Sequence, residues 1–200
     1  PDDDLVTVLT PSRSSVRLTT LDAVVHGRVF PMKRAPHSPL QDVQVDRTSS
    51  GAATWQIGLV HGAIAIPGKT DRDEVVVAPE EIAGSGLDYL ALGHWHSSQQ
   101  GTAGSTVWAY SGAPEPVSIS QDGAGKVLLV TLDDAGGKHA VRLDARHVGK
   151  TRLLKLDVDA AMVGDQPALV ARLGARADPD LVLDVRLVGV RPDELDLSTD

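Results

Sequence analysis

Cysteine is absent from the 200 residues, which excludes disulfides, thiolate metal sites and a cysteine nucleophile. The absence suits a reducing compartment, and a cytoplasmic location is the expectation. Aromatic residues make up only 3% of the chain, with a single Phe, so a core must be built from Val, Leu, Ile and Ala. No apolar run reaches membrane-spanning length, so no membrane partner is expected. A basic surplus is also missing: 19 Lys and Arg stand against 27 Asp and Glu, a formal charge of −8. That argues against a protein held to nucleic acid by a basic surface alone. A nuclease stays open, because bound divalent cations can supply the positive charge that a phosphate needs.

What is present is globular in character, at 42% hydrophobic and 23% charged residues, enough for one domain or one domain with a small appendage. Short strands are expected at Leu5 to Leu9, Val16 to Leu18 and Ala23 to His26. From Phe30 to Ser50 three prolines and many polar residues predict an extended loop, with a helical turn around Leu40. Gln56 to Val60 is a short apolar run that stops at His61-Gly62, as a buried strand does. A polar loop through Gly68 and Asp73 follows, and Ala78 to Ala83 starts a helix with Pro and acids in its first turn. Asp88 to Leu92 is the next buried strand and runs into Gly93-His94-Trp95-His96. Strand, helix, strand predicts a parallel pair with a right-handed crossover. Thr106 to Tyr110, Lys126 to Leu132 and His139 to Leu143 read as a meander or hairpins closing the sheet. A strand at Leu153 to Val158, a helix at Pro167 to Ala177 with Leu169, Val170 and Leu173 on one face, and a strand at Leu181 to Val190 complete the chain. The boundary of this β-α-β tail is placed near Gly149-Lys150, dividing residues 1–149 from 150–200.

Three of the seven histidines sit where chemistry is usually put. His61 terminates one predicted strand, and His94 and His96 follow another. Ligands of α/β sheets bind outside the carboxyl ends of parallel strands. Residues i and i+2 of an extended segment point the same way, so His94 and His96 can face one cavity. Gly62 and Gly93 are read as the places where the chain turns sharply. Three neutral imidazoles at one edge would suit Zn, Mn or Fe, while a solvated Gly-rich turn is the plainer alternative. His26, His37, His139 and His147 receive no role. Tyr110-Ser111-Gly112 with Pro114 and Pro116 reads first as a rigid turn. A solvated hinge explains Arg146, Lys150 and Arg152 at least as well as a DNA contact does, given the acidic net charge.

The stretch DYLALGHWHSSQ resembles the last motif of the calcineurin-like metallophosphoesterases, most closely that of the SbcD-type bacterial DNA-repair exonucleases. IGLVHG resembles the motif before it, LDAVVHGRVFP the segment preceding that, and YSGAPEPVSISQDGAGKVLLVTLDD the stretch after the last motif. The similarity runs from about Leu21 to Asp134. It implies an α/β fold: part of a metallophosphoesterase β-sandwich flanked by helices, followed by a small β-α-β capping subdomain. It also implies two divalent metal ions, manganese foremost and zinc or iron as alternatives, with His61 and His94 on one ion and His96 on the other. DNA as substrate and an SMC-like coiled-coil ATPase as partner come with the resemblance. So does phosphodiester hydrolysis by a cation pair.

The family's early motifs, an Asp-x-His, a bridging Asp and an Asn-His pair, are not found, and the expectation is that they lie upstream of Pro1. The residues given would then be the carboxy-terminal portion of such an enzyme, inactive alone and without catalytic residues of their own. Competing readings are a phosphoesterase acting on a small phosphoester and a non-catalytic binding module. A sheet without its upstream neighbours leaves an apolar face or edge to be covered, so a homodimer is expected. Its self-association should be visible in sedimentation velocity as a concentration-dependent shift from one chain to two.

Overall fold

A computed structural model describes residues 6–29, 37–41, 43, 45, 47–65, 75–121, 123–134, 136, 138–190 and 195. Its order is β1 (Ser15–Leu18), β2 (Ala23–Gly27), β3 (Trp55–His61), β4 (Ala63–Ile64), β5 (Val76–Val77), α1 (Pro79–Gly84), β6 (Tyr89–Gly93), β7 (Gln99–Ala103) and β8 (Thr106–Tyr110). β9 (Lys126–Asp134), β10 (His139–His147), β11 (Arg152–Asp159), α2 (Gln166–Gly174) and β12 (Leu181–Val188) follow. The protein is mixed α/β, rich in strand and sparing in helix.

Six strands form one sheet in the order β1-β2-β3-β6-β8-β7. The four inner strands are mutually parallel, and β1 and β7 join antiparallel at the two edges. Parallel strands read as short apolar runs when both faces are covered; β6 is buried along most of its length, whereas β3 alternates and leaves Leu59 53% exposed. The crossover between them carries α1. Its first turn holds Pro79, Glu80 and Glu81, and the Glu81 carboxylate accepts the Ala78 N–H at 2.8 Å, half of a capping box. Ile82 from this helix joins Val60, Leu87, Leu90, Leu92 and Tyr110 in the main core.

Several expectations need correction. Residues 6–9 form no strand, and Val6 and Val8 are exposed; without a partner strand, an apolar run has no ladder to join. Leu5 and the loop from Gly68 to Asp73 lie outside the described residues. The expected loop from Phe30 to Ser50, where described, contributes Leu40, Val43 and Val45 to the core, with a turn closed by Gln41 N–H on the Ser38 carbonyl at 3.2 Å. The sheet is not closed by the β9–β10 hairpin, which pairs only within itself among the described residues. The closing strand is β7, whose sequence Gln-Gln-Gly-Thr-Ala is too polar to announce a strand.

Beyond the hairpin, β11 and β12 pair in parallel, with α2 crossing between them. Val158, Ala160, Val163, Leu169 and Leu195 make a second core there. Leu169 and Leu173 face it, but Val170 is 62% exposed. The helical period explains the difference: positions four apart share a face, while the adjacent residue is rotated by about 100°.

A buried carboxylate organises the amino-terminal end of the parallel strands. Asp88 Oδ2 accepts the Gln56 N–H at 2.7 Å and meets the Arg47 guanidinium at 2.6 Å. Its Oδ1 accepts His139 Nδ1–H at 3.0 Å, and the His139 ring lies against Trp55 with centroids 4.4 Å apart. His139 thus pins β10 to the sheet. Asp88→Ala should cost at least about 2 kcal/mol, because the buried Gln56 N–H and the arginine lose their acceptor together. Urea unfolding checks the value, and His139→Ala should cost less.

Candidate functional site

Register decides what meets at the carboxyl edge. β3 and β6 pair so that His61 stands opposite Gly93, which places His94 one residue beyond the end of the neighbouring strand. The two imidazole rings approach edge to face, with centroids 5.3 Å apart and planes at 85°. Gly93 is what admits this approach. A Cβ built there would lie 3.2 Å from His61 Nδ1, closer than most side-chain contacts. A shallow cavity of about 360 Å³ opens beside them, lined by His61, Gly93, Leu59 and Arg28 among others.

The sharp turn falls neither on Gly62 nor on Gly93, as the sequence had suggested, but on His94 itself, at φ +134°. L residues seldom adopt that angle, and holding one there costs about 1–3 kcal/mol. It also removes the extended geometry on which the i, i+2 reading of His94 and His96 relied. The surroundings hold the turn in place. Trp95 stacks on Tyr110 at 4.9 Å. The Tyr110 hydroxyl donates to the Gly62 carbonyl at 2.7 Å and accepts the Ile64 N–H at 3.0 Å, fully buried.

His96 is exposed and is held by a residue that the sequence gave no reason to single out. Gln121 Oε1 accepts the Val117 N–H at 3.2 Å, which orients the amide so that its Nε2 donates to His96 Nδ1 at 2.6 Å. A neutral His96 therefore carries its proton on Nε2 and has its lone pair engaged by Gln121. The structure brings His61 and His94 together and ties His96 to the loop after β8. Among the described residues no group of three His, Cys, Asp or Glu side chains gathers to hold a metal ion. The donor chemistry fits a divalent transition metal at the His61–His94 pair. It fits His96 only once Gln121 lets go.

Desolvation and the neighbouring His94 hold the His61 pKa below the ordinary imidazole value. The ring is thus neutral near pH 7, with a lone pair for a metal or a proton. The Tyr110 to Pro116 stretch is a rigid turn, as read: Ala113 N–H donates to the His96 carbonyl at 2.8 Å. Gly112, at φ +79°, leaves no room for a Cβ, which would sit 2.7 Å from that same carbonyl. Of the basic trio, Arg146 pairs with Asp144 and Arg152 with Asp178. No family model matches the chain, and no curated protein matches it.

Both features of the pair are measurable. His94→Gly and His94→Ala lose the same ring, but glycine relieves the backbone, so the Gly variant should be the more stable by about 1 kcal/mol in urea. For His61 the folded pKa is the lower one, so the unfolded chain takes up its proton first as pH falls through about 6.5. Stability should therefore drop between pH 7.5 and 5.5, and His61→Gln should remove part of that drop.

Proposed function

We propose that the chain is the carboxy-terminal portion of a metal-dependent phosphodiesterase of the calcineurin-like kind, acting on DNA as an SbcD-type nuclease does. The observation that carries this reading is the His61–His94 pair. Its two imidazoles lie at the carboxyl ends of adjacent parallel strands, one of them on a strained backbone. Strain of this kind gathers at functional sites, and neutral imidazoles suit a transition metal. The six-stranded sheet would then be part of the family's sandwich, and the β11-α2-β12 unit its capping subdomain. An SMC-like coiled-coil ATPase and a second copy of the chain belong to the same reading.

His61 and His94 would hold one divalent ion, and His96 the second after release from Gln121. A bound cation pair supplies charge stabilisation of the phosphoryl group and a hydroxide nucleophile. The chain's own residues do the positioning. Gly93 seats the His61 ring, Tyr110 and Trp95 fix the turn that carries His94, and Gln121 sets the tautomer of His96. None of the described residues supplies the bridging carboxylate at this edge.

Calorimetric titration with Zn²⁺ tests the pair in the 200-residue chain. His61→Ala and His94→Ala should each weaken binding by about tenfold or more, with His96→Ala changing it little. An unchanged affinity in His61→Ala would remove the basis of the reading. Turnover is tested with Mn²⁺ and labelled DNA. The 200 residues should not cleave, and a chain extended upstream with in-frame Asp-x-His, Gly-Asp and Gly-Asn-His motifs should. His94→Ala in the extended chain should abolish cleavage.

A further inference from the structure

The amide of Gln121 has two settings, and only one of them blocks His96. In the structure its Nε2 donates to His96 Nδ1 at 2.6 Å, while its Oε1 accepts the Val117 N–H at 3.2 Å. The Nδ1 lone pair is thus engaged and the proton of the neutral ring sits on Nε2. The exposed imidazole has no lone pair to offer. A half turn of the amide exchanges its donor and its acceptor, so that Oε1 faces Nδ1. A proton then leaves Nε2 for water and one is taken up at Nδ1. The ring stays neutral, and its lone pair stands on Nε2.

Both main chains are tied, which leaves the amide as the part that changes. On the His96 side, Ala113 N–H donates to the His96 carbonyl at 2.8 Å and Ser98 N–H to the Gly123 carbonyl at 3.3 Å. On the other side, the Gln121 N–H donates to the Ser118 carbonyl at 3.1 Å, and the Gln121 carbonyl accepts Ala124 N–H at 3.4 Å. The bond that carries a glutamine amide is an sp³–sp² torsion with a broad, roughly two-fold profile. The turn therefore meets little intrinsic resistance. What it gives up is the Val117 N–H, on an exposed residue where water replaces the lost acceptor.

We propose that Gln121 is the positioning residue of His96 and acts by this turn. One setting withholds the imidazole from a divalent ion, and the other presents Nε2 while holding Nδ1–H. A histidine that ligates a metal commonly donates its other ring N–H to an oxygen acceptor, and the turned amide supplies one. The proposal rests on the phosphodiesterase reading for the ion that His96 serves. It requires two changes to occur together, one on the ring and one at Val117.

Zn²⁺ is the probe, titrated into the 200-residue chain while nitrogen NMR reads the His96 ring and the Val117 amide. Without metal, His96 should show the Nε2–H tautomer, and with Zn²⁺ the Nδ1–H tautomer with Nε2 bound. Over the same range of Zn²⁺ the Val117 amide should shift and exchange its hydrogen faster. Gln121→Glu offers only acceptor oxygens, so its metal-free His96 should already carry Nδ1–H. Its ring should respond to Zn²⁺ at about tenfold lower concentration, and adding His96→Ala should abolish that gain in Zn²⁺ binding. A wild-type ring that keeps Nε2–H throughout would overturn the proposal, as would a ring change that leaves Val117 undisturbed. A metal-free Gln121→Glu ring without Nδ1–H, or a gain that survives His96→Ala, would do the same. The two proposals fail separately. Zn²⁺ affinity unchanged in His61→Ala removes the metal reading. Any of the overturning results above, with Zn²⁺ binding still dependent on His61, removes the role of Gln121 alone.

Discussion

The parallel pairing of β3 with β6 is the constraint from which the rest of the molecule follows. It is secured at both ends by a buried polar group. At the beginning of the strands the Asp88 carboxylate binds the Gln56 amide, while the Asp88 amide returns to the Gln56 carbonyl at 2.8 Å. At the far end the Tyr110 hydroxyl holds the chain as it leaves β3. Between these fixings the register cannot slip without turning the buried Leu90 and Leu92 to the opposite face, since a one-residue shift exchanges the two faces. The register puts His61 opposite Gly93, and that juxtaposition makes the imidazole pair.

The two ends of the strands differ in electrostatic character. The amino-terminal end gathers one buried carboxylate with an arginine and a histidine around it, an arrangement satisfied from within and suited to holding the hairpin in place. The carboxyl end presents the His61 and His94 rings beside an open cavity. Polar groups satisfied within the fold contribute to stability.

Much of this was legible in the sequence, for a physical reason. β3 and β6 announced themselves as short apolar runs, and their terminal His-Gly and Gly-His marked the edge. The helix of the crossover declared itself through Pro79 and its two acids. Other features had no local signal. β7 is polar because it lies at an edge, and Leu40, Val43 and Val45 reach the core from a segment that reads as loop. The pairing of Gln121 with His96, and of His139 with Asp88, spans 25 and 51 residues of chain, and no periodicity encodes contacts of that range. The φ of His94 was hidden for a different reason: the residue type gave the position to the neighbouring glycine, and tertiary packing overrode it.

Glu115 gives the loop after β8 a mechanical character. Its carboxylate accepts the Lys150 and Thr151 amides at 2.8 and 2.9 Å, and those hydrogen bonds hold its pKa below the usual range. The same loop carries Gln121, which grips His96, and Ala113, which binds the His96 carbonyl. The root of β11 and the His96 turn are therefore two ends of one short tether. A displacement of the tail must either tear two amides from a carboxylate or be passed along the tether to His96, so that tension at residue 150 becomes slack or strain beside the imidazoles.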